Sequence, residues 1–142
     1  MTKNKLAAII VVCTIAIIAA IVVPKLIDGT DANSGFENGQ INAISCYEAE
    51  DHIGERTTVY GVVVDTHYAS TSSGTPTFLN MCYAYPDPDR FTVVIWGESR
   101  GNFSQPPEVY YLDKTIYVTG LIDSYEGVAQ IEVTSPAQIQ EQ

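Results

Sequence analysis

Two stretches, 57-TTVYGVVVDTHY-68 and 115-TIYVTGLIDSY-125, follow one pattern: apolar and polar residues alternate, and a glycine stands inside the run. A period of two predicts strands. The interior glycines, Gly61 and Gly120, predict a bulge or a sharp coil in each. A long strand bent in this way serves two sheet faces, so a small sheet can close on itself without exposed edges.

Three shorter strands complete the set. The runs 77-TFLNMCY-83 and 91-FTVVIW-96 are joined by the turn-forming tip 85-YPDPD-89, and Glu126-Gly127 turns the second long strand into 128-VAQIEV-133. The segment 97–113 holds too many breakers for a strand or a long helix. The order is a three-stranded meander, a connection covering one end, then a hairpin. That is the plan of an all-β, five-stranded OB-fold barrel over residues 44–142. Within it Phe91, Val93 and Ile95 share the wholly apolar face and belong to the core, and Phe78 points inward if its strand pairs in register. Trp96 falls on the other face, against the outer surface or beneath the 97–113 crossover. Tyr60 and Tyr117 hold equivalent positions in the two echoing strands and predict a cross-strand pair.

A short capping helix of about two turns precedes the barrel. Ser45-Cys46-Tyr47-Glu48 reads as a capping box, Glu48, Glu50 and Asp51 suit the positive end of a helix dipole, and Gly54 is the stop. Cys46 and Cys82 either close one bridge or stay as two buried thiols, since spacing does not show whether their Cα atoms approach.

Residues 6–23, LAAIIVVCTIAIIAAIVV, run 18 positions without a charge. As a helix this length nearly crosses a hydrocarbon core of roughly 30 Å, and its apolar residues go all the way round. Residues 1–27 therefore read as a transmembrane signal-anchor, with a cleaved signal peptide as the rival reading. Lys3 and Lys5 before the run predict a cytoplasmic N-terminus, a single pass through the cell membrane and an extracytoplasmic barrel. The Gly-, Asn- and Asp-rich segment 28–43 is a flexible linker.

The formal net charge is −10 over 142 residues, and it is unevenly placed. From Asp28 onward only Arg56, Arg90, Arg100 and Lys114 stand against all 17 acids, a net of −13. Nucleic-acid binding begins with lysines and arginines neutralising phosphates, so this balance disfavours a nucleic-acid partner.

The string 52-HIGERTTVYGVVVDTHYASTSSGTPTFLNMCYAYPDPDRFTVVIWG-97, followed by 114-KTIYVTGLIDSYEGVAQIEVTSPAQI-139, resembles a family of small bacterial and archaeal OB-fold domains. The shared features are a helix ending in 52-HIG-54, the strand 58-TVYGVV-63, the hairpin 78-FLNMCYAYPDPDRFTVVIWG-97 and the closing 118-VTGLIDSYEG-127 with 136-PAQI-139. The resemblance implies the fold, and a nucleic-acid-binding label inherited from the wider OB superfamily. Some members of the family accompany extracellular nuclease modules.

A ligand on such a barrel lies across strands two and three and the adjoining loops. Tyr68, Tyr83, Tyr85, Trp96 and Tyr125 are the candidate stacking residues, with Arg90 and Arg100 for anionic groups. Packing of the barrel and its ends is the competing use for all of them. His52 and His67 read as a helix-end cation and a barrel-end polar residue, and no nucleophile elbow, HExxH or CxxC spacing occurs. Asp87 and Asp89 flank Pro88 as a solvated turn. No cofactor, no metal and no catalysis are expected. The expectation is a membrane-anchored binding or assembly module engaging a protein at the cell envelope, with single-stranded nucleic acid or oligosaccharide binding on the barrel face as the alternative.

Overall fold

The computed structural model describes residues 36–37 and 40–142, within the unit Ala32–Gln142. The apolar run 6–23 and most of the 28–43 linker lie outside the described residues, and among the described residues no helix is long and apolar enough to cross a membrane.

The chain is mostly β. Five strands carry it: β1 Arg56–Tyr68, β2 Thr77–Met81, β3 Phe91–Ile95, β4 Thr115–Tyr125 and β5 Val128–Glu132. Hydrogen-bonded neighbours run β1-β2-β3-β5-β4, and β4 pairs back onto β1, so the ring closes. All contacts are antiparallel except β3 with β5. This is the strand order of an OB-like barrel. Two short strands extend it: Ile44–Ser45 lies parallel to β1, and Ile139–Glu141 lies antiparallel to β4. Two four-residue helices, α1 Gly97–Arg100 and α2 Pro107–Tyr110, occupy the crossover between β3 and β4.

β1 pairs with β4 through residues 56–62 and with β2 from Val63 to Tyr68. The register shift lies between Val63 and Asp65, so the bulge is at Val64 and not at Gly61. Gly61 answers a different constraint. A Cβ there would collide with the Cys46 Sγ, which packs over the strand. In β4 a Cβ on Gly120 would approach Ile131 Cγ2 to 2.5 Å, so the second glycine also makes room for a neighbour.

The core is the inside of the ring. Val59, Val63, Leu79, Met81, Phe91, Val93, Ile95, Ile116, Val118, Ile122 and Ile131 are fully buried, each worth about 1.5–3 kcal/mol relative to exposure. Phe91, Val93 and Ile95 point inward as the alternation predicts. Phe78 does not. Leu79 and Met81 take the inward positions of β2, leaving Phe78 half-buried on the outer face between His67 and Val94. The register of β2, fixed by its pairing with β1, puts odd-numbered residues inside.

The two-turn helix expected from Ser45 is replaced by one 3-10 turn, Ala49–His52. Only half of the capping box forms: Glu48 Oε2 accepts from the Ser45 N–H at 3.3 Å, while Ser45 Oγ accepts from Tyr47 rather than from Glu48. Ser45 is already paired with Tyr60, and Cys46 donates its N–H to the Tyr60 carbonyl, so the chain is still a strand where the helix was expected to start. Gly54 ends the turn with φ +93° and donates to Ile122 O at 2.8 Å, tying the segment to β4. The stacked Tyr60–Tyr117 pair stands on the outer face, ring centroids 5.8 Å apart.

Candidate functional site

The residues singled out in the sequence separate between the two ends of the barrel. Tyr68, Trp96 and Arg100 gather where the β1–β2 loop meets the crossover. Tyr83, Tyr85 and Arg90 stand at the other end on the β2–β3 loop, and Tyr125 stands beside the β4–β5 turn.

At the crossover end the side chains are occupied with one another. Arg100 Nη1 and Nη2 donate to Glu108 Oε2 and Oε1 at 2.6 and 2.8 Å, and Nη1 also donates to the fully buried Thr77 Oγ1 at 2.7 Å. The Tyr68 ring lies 3.9 Å from the guanidinium carbon. Thr66 Oγ1 donates to the Glu108 carbonyl at 2.9 Å. Hydrogen bonding to Arg100 holds the Glu108 carboxyl below the usual carboxylate range, and the same bonds raise Arg100. This bidentate pair fastens the crossover across the barrel end. Trp96, 37% exposed, lies against the β1–β2 loop, where a Cβ on Gly74 would come within 2.9 Å of its Cε3. Gly74 has φ +74°, and its carbonyl accepts from Gly97 N–H at 2.9 Å. Tyr68, Arg100 and one side of Trp96 therefore close and staple the barrel.

Between the ends runs the outer face of β2 and β3, the surface on which OB-like barrels hold extended ligands. It carries half-buried Phe78 and, at its middle, Asn80, Thr92 and Val94, all three buried, so its exposed part is the flanks: His67 on β1 and Glu132 on β5, with Asp65 and Gln130 half-buried. Asn80 Nδ2 donates to Asp65 Oδ2 at 2.8 Å, and Thr92 Oγ1 donates to Asn80 Oδ1 at 3.0 Å. Asp65 also accepts from the Tyr85 N–H at 3.2 Å, fixing the start of the Pro/Asp tip. None of the candidate tyrosines lies on this face. Its formal charges are Asp65, Glu132 and, opposite Gln130, Asp123.

At the far end a cleft of about 280 Å³ opens between the 46–50 segment, the β2–β3 loop and the β4–β5 turn. Tyr47, Glu50, Tyr83, Asp89, Arg90 and Gly127 are among its lining residues. The Cys46–Cys82 bridge, Cα atoms 6.0 Å apart, draws the first two segments together. Tyr47 packs edge-on against Tyr83 with centroids 5.4 Å apart. Arg90 lies 5.1 Å from the Tyr85 centroid, and its Nη1 donates to Asp87 O at 2.6 Å. Its Nε is buried and makes no hydrogen bond, the one such side-chain atom among the described residues. Asp87 Oδ1 accepts from the Asp89 N–H at 2.9 Å, the Asx turn expected of a solvated tip. Tyr85 and Tyr125 are exposed at 70% and 65%.

In the sequence Tyr47 and Glu50 read only as parts of a capping helix, not as site residues. Their placement depends on the bridge, and nothing local to 46–50 marks them. Among the described residues, no three His, Cys, Asp or Glu side chains gather as a metal site. His52 Nδ1 lies 2.8 Å from Glu55 Oε2 at the end of its turn, and His67 is exposed.

No family model matches the chain, and no curated protein matches it. Among solved structures it is similar to a chain described as an aspartyl-tRNA synthetase from Leishmania major Friedlin, at TM-score 0.48 and 10% identity over 80% of this chain and 23% of that one. It is also similar to an aspartyl tRNA synthetase from Entamoeba histolytica, at TM-score 0.41 and 14% identity over 64% of this chain and 19% of that one. The chain spans less than a quarter of either enzyme. Likenesses this distant say nothing about what the chain binds.

Proposed function

We propose that this chain is a non-catalytic binding and assembly module, anchored in the cell membrane by residues 6–23, whose OB-fold barrel engages a protein partner on the extracytoplasmic side of the envelope. The observation that carries the reading is how the domain uses its cations. Arg100 is bound to Glu108, Lys114 to Glu141 at 2.9 Å, and Arg90 donates to its own loop, which leaves Arg56 as the one exposed cation of four in a region with 17 acids. The β2–β3 face and its flanks present Asp65, Asp123 and Glu132 where a phosphate backbone would need lysine or arginine. A basic protein surface is the complement of that field, which steers association as well as supporting it. The Cys46–Cys82 bridge favours an oxidising compartment, in keeping with a barrel outside the cytoplasm.

Single-stranded nucleic acid, suggested by the family resemblance, is the competing ligand. A photo-reactive residue in place of His67 or Glu132, the exposed flanks of the β2–β3 face, in the full chain in intact cells, separates the two. A discrete protein adduct insensitive to nuclease is the expected result. An adduct that nuclease removes, or no adduct from either position, overturns the reading.

A further inference from the structure

We infer that the cleft at the bridged end of the barrel is a binding site for a neutral saccharide, taking one or two sugar rings of a longer glycan. This goes beyond the protein-partner reading and does not depend on it, because the cleft lies at the end of the barrel and not on the β2–β3 face.

Three features of the lining select the ligand. The first is the charge set. Glu50 and Asp89 oppose an anion, Arg90 opposes a cation, and the formal sum is only −1. The second is Arg90, whose guanidinium lines the cleft with no carboxylate within ion-pair distance among the described residues; its Nε is shut off from solvent and faces no ligand. A guanidinium holds its donors in a fixed fork, and the bond from Nη1 to Asp87 O leaves Nη donors for a ligand. The third is the aromatic wall, with Tyr47 and Tyr83 edge to face inside the cleft and exposed Tyr85 over Arg90 at its rim.

A sugar ring meets all three at once. Each hydroxyl both donates and accepts, so neighbouring hydroxyls can accept from Arg90 and donate to Glu50 or Asp89 without placing any charge in the cleft. The C–H face of the ring packs on tyrosine with little loss of side-chain entropy. The volume, about 280 Å³, is just below the roughly 300–1,000 Å³ of small-molecule clefts and suits a ring rather than a protein loop. The bridge fixes the Tyr47 wall against the β2–β3 loop, so the cleft exists before the ligand arrives.

The test uses the full chain in detergent with three neutral probes, maltotriose, cellotriose and triacetylchitotriose, followed by saturation-transfer NMR and calorimetry. At least one should bind with Kd near about 1 mM, and raising the salt tenfold should change that by less than about twofold. Arg90→Lys keeps the charge but removes the planar fork of Nη donors and should weaken binding about tenfold or more. Glu50→Gln, at an exposed position where folding is not at stake, should weaken it about threefold or more. Failure of all three sugars to bind overturns the inference, as does binding that both variants leave unchanged. Salt-sensitive binding of a lysine-containing tripeptide to the same cleft, with no sugar bound, also overturns it.

Discussion

The Cys46 Sγ occupies the place where a Cβ on Gly61 would stand, with Cys46 Cβ 3.2 Å from that position. Gly61 lies in register with Ile116 inside the barrel wall, so neither strand can move aside. Gly61→Ala should destabilise the domain by about 2–3 kcal/mol through overpacking. In a Cys46→Ala/Cys82→Ala background the same substitution should cost less by at least about 1 kcal/mol, because the obstructing sulfur is gone. Urea unfolding of the four proteins gives both numbers.

The bridge itself spans 36 residues. Its loss should lower stability by about 2–4 kcal/mol, chiefly by freeing the unfolded chain. Unfolding midpoints with and without reductant measure this directly. The cysteine-to-alanine pair should behave like reduced wild type.

Glu108 predicts an acid-side loss of stability. Its folded carboxyl titrates below the ordinary 4.5 because Arg100 donates two hydrogen bonds to it. The unfolded chain therefore takes up that proton first as pH falls. The stabilisation is complete above about pH 4.5 and disappears as pH drops through the lower folded value. Arg100 adds nothing to the profile in this range, since a guanidinium stays charged. Glu108→Gln should cost about 1–3 kcal/mol at pH 7 and progressively less below pH 4.5. Thermal melts of the two proteins between pH 7 and pH 3 should converge.

Tyr60 and Tyr117 should show a coupling energy of about 0.5–1.5 kcal/mol in a double-mutant cycle to alanine. Their rings are half in solvent, so each single substitution should leave the barrel folded.

Strand order and most strand limits were legible because alternation and glycine position report directly on a pleated, closed sheet. The inward set Phe91, Val93 and Ile95 could be read in the same way. Phe78 could not, because its face depends on register against β1, which a lone run of mixed apolar residues does not encode. The capping box at Ser45 was a local signal overruled by a long-range one, the pairing of Ser45 with Tyr60. The candidate site was legible in parts only. Tyr83, Tyr85 and Arg90 do meet, while Tyr68 and Arg100 stand at the other end of the barrel, engaged with each other and with Glu108. Tyr47 and Glu50 enter the cleft through a disulfide that spacing alone leaves open.

The central claim, that this OB-like barrel serves partners other than nucleic acid, is tested most directly by the anisotropy of a labelled single-stranded oligonucleotide titrated with the full chain at low salt. The account predicts no binding at protein concentrations up to about 50 μM, well beyond what phosphate-driven sites need under such conditions. It also predicts no change in the fluorescence of Trp96, the single tryptophan. Micromolar, salt-sensitive binding that is lost in Tyr85→Ala or Trp96→Ala would contradict it.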